Sequence, residues 1–533
     1  MFRTTVGLIC LVLCVASCAR RGSIYGGDKD TLAPKILRVN PPEKSLHFQA
    51  KEIHFYLDEY ITLKDFDKQF VASPPLRNKP DISPQSLASK EIILKLRDTL
   101  EPNTTYSFNF GKSIQDNSEG NQLKSYTYVC STGDKIDSLK LKVQVQDAYQ
   151  KKTDSYITIA LFAENEKWSD SIIYKQKPLY IGNTLDSASN VTLQNLKAGK
   201  YRLIALKDQN GDLKFTPKTD LIGFHGKTIQ LPSDSLYSLR VFKEKQLMKP
   251  KAPTPEAAQK YLLGYEGNWP SSVKINIKNK EQTTDAIWSK VPKKDSIYVW
   301  VPKVETDSLS LELAYENTLQ KYRVPIKKMA RDSLQIKSPS VSNLPLKSPI
   351  IIESNVPLIK NDPKLFVLTN KKGTVLPFKT VEKPESLSLE LFFESEESEK
   401  YQLKMFPGAV QDWYNRTNDT LKFTFETRAL SNYGNLKINF KSVESKKLLV
   451  ELTNEKGETL YLAPLKSSQV EFSNIEPATY TVRIIEDIND NGQWDTGSFL
   501  DNRQPEPVYY FPTTLDVRAN WDVEQTIDFL QLH

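Results

Sequence analysis

Hydrophobic and polar residues alternate along most of the chain. In "KEIHFYLDEYI", Ile53, Phe55 and Leu57 fall on one face of an extended segment, and more polar side chains fall on the other. Alternation with a period of two is typical of half-buried β-strands. Helical periodicity is nearly absent, and "TPEAAQKYL" near residue 258 is the best candidate for a short helix. The pattern predicts an all-β chain of tandem β-sandwich domains.

Two pairs of segments repeat along the chain. The segment "VTLQNLKAGKYRLIALKDQNGDLKFT" from Val191 aligns without a gap with "VEFSNIEPATYTVRIIEDINDNGQWD" from Val470, and Tyr201 then matches Tyr480. A second pair, near residues 105 and 400, shares a tyrosine-bearing strand, a Gln-Asp turn and a closing strand. Self-similarity of this kind indicates repeated structural units. We therefore expect a two-domain unit that occurs twice, with shared backbone geometry.

The first residues carry a targeting signal. Arg3 precedes the apolar run Val6–Ala16, which is too short to span a bilayer as a helix. The "VASC" at its end resembles a bacterial lipobox, which implies cleavage after Ser17 and acylation of Cys18 by chains such as palmitate. Two or more acyl chains hold a protein on a membrane far better than one. The alternative is an ordinary secretory signal peptide with a chance cysteine.

The lipobox resemblance also implies a location. In Gram-negative lipoproteins, an Asp directly after the lipidated cysteine can retain the protein in the inner membrane. Here that residue is Ala19, which favours a lipid anchor in the outer membrane. Surface-exported lipoproteins of Bacteroidetes tend to carry acidic residues behind the cysteine, whereas this chain has Arg20 and Arg21. We expect a periplasmic-facing protein, and the cell surface stays open as an alternative.

Composition and cysteine usage narrow the function classes. The 533 residues include 72 basic and 65 acidic ones, a net charge of +7 without a basic stripe, so no nucleic-acid partner is expected. Cys10 and Cys14 leave with the signal peptide and Cys18 takes the lipid, so Cys130 has no cysteine partner in the mature chain. Cys130 lies in the alternating "YTYVCSTG" and is predicted to be a small buried hydrophobe.

Residues 34–133 resemble a known domain family. The segments "APKILRVNPPEKS", "LEPNTTYSFNF", "IQDNSEGNQL" and "YVCSTGD" are similar to the bacterial Ig-like domain of the SbsA type. The chain departs from that family at Cys130, where an aromatic residue is usual. Together with the lipobox, the arrangement resembles Bacteroidetes outer-membrane lipoproteins that begin with this domain. Tyr106 is expected to form a tyrosine corner, in which its hydroxyl bonds the backbone.

The other repeated unit, marked by the turn "NLKAGKY", resembles small transthyretin-like β-sandwiches. Domains of both types are generally scaffolds and spacers, and the resemblance implies that role here. The predicted segments are a signal peptide (1–17), a lipidated tether (18–33), an SbsA-type Ig-like domain (34–133), a transthyretin-like β-sandwich (137–247), a proline-rich linker (248–260), a β-rich domain (261–337), a second Ig-like domain (345–430) and a second transthyretin-like β-sandwich (433–533).

Catalytic motifs are missing from the sequence. The histidines His47, His54, His225 and His533 show no metal-ligand spacing. The chain also has no nucleophile elbow, P-loop or dinucleotide-binding fingerprint. Since function on such folds depends on specific sites, we expect no enzymatic activity.

Two Asp-rich loops raise the question of calcium. In "DINDNGQWDTG", oxygen-bearing side chains alternate as they do in calcium-binding loops. An EF-hand is excluded, because Ser498 and Thr219 occupy the twelfth position of the two copies and strands flank both loops. A weak calcium site remains a prediction, and the alternative is an Asx-rich hairpin whose side chains bond their own backbone. The candidate ligands are Asp208, Asn210, Asp212, Asp487, Asn489, Asn491 and Asp495.

Asp followed by Ser or Thr and then an aliphatic residue recurs along the chain. This pattern resembles the O-glycosylation sequon of Bacteroidetes, and Thr99, Ser138 and Ser308 are the best candidates because exposed loops are expected there. The alternative is a set of ordinary turns that each precede a strand.

The sequence leaves several functions open. We expect a non-enzymatic scaffold, held at the membrane by its N-terminal lipid, that presents a structural or binding surface to another envelope protein. The first alternative is a glycan-binding surface lipoprotein with Trp413 and Trp494 as sugar platforms. An enzyme with an unrecognised site is the remaining alternative.

Overall fold

The computed structural model describes residues 30–166, 168–185, 189–270, 272–279, 282–339, 344–443 and 447–532. Cys18, the signal peptide and most of the tether lie outside these ranges. Strands dominate the described residues, and none of the helices there combines the length and apolar character needed to cross a membrane. The prediction of an all-β chain of tandem sandwiches is confirmed.

The first domain consists of two packed sheets. Its elements are β1 (Ile36–Asn40), β2 (Glu52–Leu63), α1 (Phe66–Gln69), β3 (Val71–Ser73), β4 (Asp81–Ser83), β5 (Ser89–Lys95), β6 (Thr105–Asn109), β7 (Ile114–Asp116) and β8 (Thr127–Ser131). One sheet has the order β1-β2-β5-β4 with β7 also on β2, and the other has the order β3-β6-β8. Ile53 and Phe55 lie in the core between them, as the alternation predicts.

Tyr106 and Cys130 take the roles predicted for them in the first domain. The Tyr106 hydroxyl accepts a hydrogen bond from the backbone N–H of Glu101 at 3.0 Å, which confirms the tyrosine corner. Cys130 is fully buried and has no disulfide partner. Burial raises the pKa of its thiol to about 12, because the thiolate would lose its hydration. Cys130 is therefore a core residue and not a nucleophile.

The second domain is a sandwich of a larger and a smaller sheet. Its elements are β9 (Leu139–Asp147), β10 (Thr158–Ala163), a 3-10 helix (Asp170–Tyr174), β11 (Tyr180–Asn183), β12 (Asn190–Leu196), β13 (Gly199–Lys207), β14 (Leu221–Phe224), β15 (Ile229–Leu231) and β16 (Leu236–Val241). The larger sheet has the order β11-β10-β13-β14 with β15 on β13. The smaller has the order β12-β9-β16, in which β16 runs parallel to β9.

The third domain begins earlier than the sequence suggests. Its strands are β17 (Lys249–Pro250), β18 (Thr254–Ala257), β19 (Lys260–Glu266), β20 (Val273–Asn279), β21 (Gln282–Asp285), β22 (Ile287–Lys290), β23 (Ser296–Trp300), β24 (Ser308–Tyr315) and β25 (Thr318–Pro325). β17 and β18 both pair with β19, and Met248 belongs to the core. The predicted linker 248–260 and the candidate helix near residue 258 are therefore wrong. Backbone pairing with β19 overrides the local proline and alanine content.

The fourth domain repeats the pairings of the first. Its elements are β26 (Ile336–Lys337), β27 (Ile350–Ser354), β28 (Leu358–Asn361), a 3-10 helix (Pro363–Leu365), β29 (Phe366–Asn370), β30 (Val375–Leu376), β31 (Lys379–Lys383), a 3-10 helix (Pro384–Ser386), β32 (Ser388–Phe392), β33 (Lys400–Met405), β34 (Val410–Asp412) and β35 (Leu421–Glu426). The order β26-β27-β32-β31 corresponds to β1-β2-β5-β4. Because β26 pairs with β27, the predicted boundary between 337 and 345 is also wrong.

The fifth domain repeats the second. Its elements are a 3-10 helix (Leu430–Asn432), β36 (Gly434–Lys441), β37 (Leu448–Thr453), β38 (Thr459–Pro464), β39 (Gln469–Ile475), β40 (Ala478–Glu486), β41 (Val508–Tyr510), β42 (Leu515–Val517), β43 (Asp522–Asp528) and a 3-10 helix (Phe529–Gln531). Its sheets have the orders β38-β37-β40-β41, with β42 on β40, and β39-β36-β43, with β43 parallel to β36. These pairings correspond strand for strand to those of the second domain.

Local details of the repeat also agree. Asn195 and the aligned Asn474 both adopt left-handed backbone conformations, with φ of 58° and 56°. The Tyr201 hydroxyl donates to the carbonyl of Lys197, and the aligned Tyr480 makes the same bond four residues upstream. The copies thus share backbone geometry as well as topology, as the gapless alignment predicts.

Candidate functional site

The two Asp-rich loops occupy the same place in their domains. One joins β13 to β14 and the other joins β40 to β41. The backbone φ is positive at Gly211 (70°) and Leu213 (61°), and at the aligned Asp490 (60°) and Gly492 (78°). A left-handed φ favours glycine, and each copy has its glycine at a different one of these two positions. The loops therefore keep one backbone path despite different sequences.

In the first loop, carboxylate oxygens accept hydrogen bonds from the loop backbone. Asp208 accepts from the N–H groups of Asn210 (3.0 Å), Gly211 (2.8 Å) and Leu213 (2.7 Å). Asp212 accepts from the N–H two residues further on, at 2.9 Å. Burial raises the pKa of Asp208, although these backbone donors oppose the shift. This arrangement is that of an Asx turn.

The second loop has a similar internal network. Asp487 accepts from the N–H groups of Asn491 (3.1 Å) and Gly492 (2.9 Å). The side-chain amides of Asn489 and Asn491 both donate to Asp495, each at 2.6 Å. The two amides thus direct their NH₂ groups, and not their oxygens, toward the carboxylate at the centre of the loop.

These contacts do not suit a calcium ion. Calcium needs six to eight oxygens that converge on one point. Here Asp495 is surrounded by N–H donors, and Lys245 places its ammonium 2.6 Å from the same carboxylate. Within the described part of the chain, no three His, Cys, Asp or Glu side chains are grouped so that they could hold a metal ion. Calcium binding stays a prediction, and the geometry favours the alternative of an Asx-rich hairpin.

Each loop is closed by a buried carboxylate that sequence reasoning missed. Asp220 accepts from the N–H groups of Gln209 (3.1 Å) and Thr216 (2.7 Å). In the fifth domain, Glu506 accepts from the two aligned N–H groups, both at 2.8 Å. The gapless alignment could not reveal this equivalence, because it places Phe499 and not Glu506 opposite Asp220.

The second loop also binds the second domain. Lys245 donates to Asp495, and the Thr496 hydroxyl donates at 2.7 Å to a backbone carbonyl two residues before Lys245. The Glu244 carboxylate accepts the N–H of Phe499 at 2.6 Å. Burial disfavours ionisation of Asp495, but hydrogen bonds from Lys245 and the two loop amides outweigh it and lower the pKa of that carboxyl. The loop is thus held by charge-assisted bonds across the domain contact.

Apolar side chains form the centre of this contact. Phe499 of the fifth domain belongs to a buried cluster of the second domain and meets Phe224 nearly edge to face, with ring centroids 5.3 Å apart and planes inclined by 87°. A Cβ on Gly497 would lie 2.5 Å from the Phe242 ring. The close approach of the two domains therefore requires glycine at that position.

Tyr149 of the second domain makes the reciprocal contact. Its ring lies 4.7 Å from that of Trp494 and 3.8 Å from the Arg483 guanidinium. Its hydroxyl donates to Glu451 at 3.2 Å and accepts from Arg483 at 2.7 Å. The hydroxyl of Tyr510 in turn donates to the Tyr149 carbonyl at 2.6 Å. Tyr149 is therefore held by its ring, hydroxyl and backbone.

Arg483 and Glu451 form a buried ion pair beneath Tyr149. Arg483 is 0% exposed and also donates to the Thr459 hydroxyl at 2.8 Å and to the Gly457 carbonyl at 3.3 Å. Burial disfavours its charge, but the Tyr510 hydroxyl and the Glu451 carboxylate outweigh burial and raise the pKa of Arg483. Nothing in the "TYTVRIIE" pattern marks Arg483 as buried, because it occupies the outward face of its strand.

The predicted sugar platforms lie in contacts between domains. Trp494 packs on Tyr149 and donates its indole N–H to the Glu506 carbonyl at 3.1 Å. Trp413 of the fourth domain donates to the Val301 carbonyl of the third domain at 3.2 Å. Trp494 therefore has a packing role and Trp413 bonds a neighbouring domain, so the structure does not support either ring as an open platform.

The glycosylation candidates differ in accessibility. Thr99 and Ser138 are exposed and lie outside the strands. Ser308 is half-buried, begins β24 and accepts a hydrogen bond from Arg323 at 3.0 Å, so its expected loop position is wrong. Glycosylation stays a prediction for all three hydroxyls.

The histidines do not assemble a catalytic group in the described residues. His54 lies on the outward face of β2 and bonds Glu91 at 2.8 Å, while His47 pairs with a carboxylate exposed at the surface. His225 packs against a tyrosine ring. His533 lies outside the described residues.

Comparison with known protein families identifies the first domain. A family model described as a bacterial Ig-like domain matches residues 30–132. The Ig-like resemblance of this domain is confirmed. The match extends over the first domain and does not reach the other four, so the resemblance to lipoproteins stays a prediction.

Solved structures similar to this chain give no close superposition. The S-layer protein rSbsC is 11% identical, with 91% of this chain and 67% of that chain covered, at a TM-score of 0.15. The Bacillus anthracis TIE protein is 11% identical, with coverages of 95% and 76% and a TM-score of 0.15. BcpA, the major pilin subunit of Bacillus cereus, is 10% identical, with coverages of 74% and 99% and a TM-score of 0.14. The comparison with curated proteins finds no match.

Proposed function

We propose that this chain is a non-enzymatic lipoprotein of the bacterial cell envelope that acts as a rigid scaffold. The lipobox at Cys18 and the Ig-like match at residues 30–132 support an envelope location. The contact between the second and fifth domains carries the scaffold role, because it joins two domains that are far apart in sequence.

A flexible string of domains would have contacts between sequence neighbours alone. Here Phe499 enters a cluster of the second domain, and Tyr149 covers the ion pair of the fifth. The hydrogen bonds and the Lys245–Asp495 ion pair between the two domains are directional, so they favour one relative orientation of the domains. The contact thereby closes the chain into a compact unit. The third and fourth domains connect the second domain to the fifth within this unit.

The lipid anchor determines where such a unit would act. Acylated Cys18 would hold it at the outer membrane, with the tether to residue 33 as a spacer, and the periplasmic face is favoured by Arg20 and Arg21. The partner would be another envelope protein that needs a fixed spacing from the membrane. Replacement of Cys18 by Ser should move the protein from the membrane fraction to the soluble fraction, and unchanged retention would contradict the anchor.

The scaffold role predicts that the contact, and not the individual domains, sets the shape of the molecule. We expect Tyr149→Ala combined with Phe499→Ala to increase the radius of gyration in small-angle X-ray scattering and to separate the thermal transitions of the second and fifth domains in calorimetry. Phe392→Ala is the matched control, because Phe392 is 42% exposed in the fourth domain. An unchanged scattering profile in the double variant would contradict a rigid scaffold held by this contact.

A further inference from the structure

A groove in the third domain carries aromatic rings that the scaffold role does not use. Its volume is about 610 Å³, and Trp269, Trp288 and Tyr315 line it. The rings of Trp269 and Trp288 have centroids 5.3 Å apart and planes inclined by 49°. Tyr265 lies 4.9 Å from Trp269 and extends the row. Trp269, Trp288 and Tyr315 form the aromatic wall of the groove.

Charged side chains of both signs surround this wall. Lys274, Lys290 and Glu316 come from the third domain, and Glu385 comes from a 3-10 helix of the fourth. All four are exposed, and within the described ranges none of them forms an ion pair or a hydrogen bond with the rest of the protein. The indole N–H groups of Trp269 and Trp288 likewise have no partner among the described residues. The groove therefore offers both free donors and free acceptors, with no net charge from these four groups.

We infer that this groove binds a neutral oligosaccharide. A sugar ring has an apolar C–H face, which can pack on an indole, and a rim of hydroxyls, each of which can donate and accept hydrogen bonds. The lysines and indoles would donate to these hydroxyls, and the glutamates would accept from them. Aromatic side chains beside convergent polar groups are common in small-ligand sites.

A proline-rich peptide is the main competing occupant, because such peptides dock into aromatic grooves. Proline residues offer backbone carbonyls but no N–H donors. The prolines of such a peptide would supply no donor to Glu316 or Glu385, whereas a sugar hydroxyl can donate to either. The hydroxyls of a neutral sugar can accept hydrogen bonds from the lysines and donate hydrogen bonds to the glutamates. The mixed charges of the groove therefore favour a sugar over a proline-rich peptide.

The groove has a neighbouring depression with which it shares lining residues. A second depression of about 720 Å³ shares Lys290 and Glu385 with the first. The charged residues therefore continue beyond the aromatic wall. This inference is independent of the scaffold role, since neither Tyr149 nor Phe499 lines the groove.

The test uses the full-length protein on an array of neutral oligosaccharides, followed by titration of any bound sugar with tryptophan fluorescence as the readout. We expect binding to at least one hexose or N-acetylhexosamine oligomer. Trp269→Ala and Trp288→Ala should each weaken it by about tenfold or more, which is the loss expected for one stacked ring. Trp521→Ala is the matched control, because Trp521 is 53% exposed in the fifth domain.

A second variant guards against misfolding, because both groove tryptophans also contact the domain core. Glu316→Gln combined with Glu385→Gln changes exposed groups alone and should weaken sugar binding several-fold at an unchanged melting temperature. Lack of binding by the wild-type protein would overturn the inference. Equal binding by wild type and both sets of groove variants would also overturn it. A change in tryptophan fluorescence on titration with oligoproline, without any change on titration with sugars, would assign the groove to a peptide instead.

Discussion

The second and fifth domains share their strand pairings but differ in the chemistry of one sheet face. On the outward face of the larger sheet, Ala160 lies opposite Ile204 in the second domain. The aligned pair in the fifth domain is Glu451 and Arg483. Both pairs are buried, although one is apolar and the other carries two charges. The same backbone therefore accommodates either an apolar pair or an ion pair at this position.

The reason lies in what covers the face. In the second domain, the connection 164–179 contains a 3-10 helix whose Ile173 packs onto the apolar face. In the fifth domain, the corresponding connection is the short turn 454–458, which cannot cover the sheet. Tyr149 of the second domain covers it instead, and its hydroxyl bonds both Glu451 and Arg483.

The aligned aromatic residues of the two loops follow the same rule. Phe215 packs on Tyr174 of its own domain, with ring centroids 5.5 Å apart. Trp494 packs on Tyr149 of the other domain, at 4.7 Å. The comparison teaches that the inner core fixes the fold of both copies, whereas the outer face is fitted to the neighbour that covers it.

The largest expected effect comes from breaking the charged pair alone. Arg483→Met should destabilise the fifth domain by about 3–5 kcal/mol, because Glu451 would remain buried without its cation. The measurement is the free energy of urea unfolding, followed by tryptophan fluorescence. Arg518→Met is the matched control, since the Arg518–Asp516 pair is largely exposed and such pairs contribute about 0–1 kcal/mol.

A second variant replaces the charged pair of the fifth domain by the apolar pair found in the second domain. Glu451→Ala with Arg483→Ile and Tyr149→Phe reproduces the apolar pair of the second domain and removes the hydroxyl left without partners. We expect this triple variant to recover most of the stability lost in Arg483→Met. A triple variant as unstable as the single one would show that the two faces are not interchangeable.

The buried loop carboxylates should have intermediate and similar effects in the two copies. Asp220→Asn and Glu506→Gln should each cost about 1–3 kcal/mol, because each weakens acceptors that close a loop. Asp212→Asn is the control, since Asp212 is exposed and accepts one backbone bond. Calorimetry would measure the three variants. An effect in one domain alone would contradict the proposed equivalence of Asp220 and Glu506.

Asp495 and Asp208 should make smaller contributions to stability, and these contributions should depend on pH in opposite directions. The pKa of Asp495 is lowered in the folded protein, so its contribution is present above the unfolded value of about 3.9 and is lost as the pH falls through the folded pKa. The pKa of Asp208 is raised by burial, so its ionised form is disfavoured and its contribution improves as the pH falls. Melting curves from pH 3 to pH 7 should therefore show a gap between wild type and Asp495→Asn that narrows toward low pH. The melting temperature of wild type relative to Asp208→Asn should instead rise as the pH falls.

The smallest effect is expected from calcium. If the loop oxygens are already used by backbone and amide donors, then 5 mM calcium or a chelator should shift the melting temperature by less than about 1 °C. A ligand with a millimolar dissociation constant would shift it by several degrees. Such a rise, abolished by Asp487→Asn, would restore the calcium prediction for the second loop.

Much of the fold could be predicted from periodicity and self-similarity. The alternation around Phe55, the tyrosine corner at Tyr106 and the burial of Cys130 follow from residue pattern and local resemblance. The strands at 249–257 could not be predicted, because a proline-rich segment pairs with β19 through its backbone. Asp220 and Glu506 were missed because loops of different length bring them to the same place.

The sequence by itself determined the all-β class, the twofold repeat of a domain pair and the shared geometry of the Asp-rich loops. These features depend on contacts within one domain, which periodicity and repetition record. Tertiary structure alone decided that Phe499 enters the second domain and that Arg483 is buried beneath Tyr149. Those contacts join residues hundreds of positions apart, and a charged residue on an outward strand face looks solvent-exposed until the covering domain is in place.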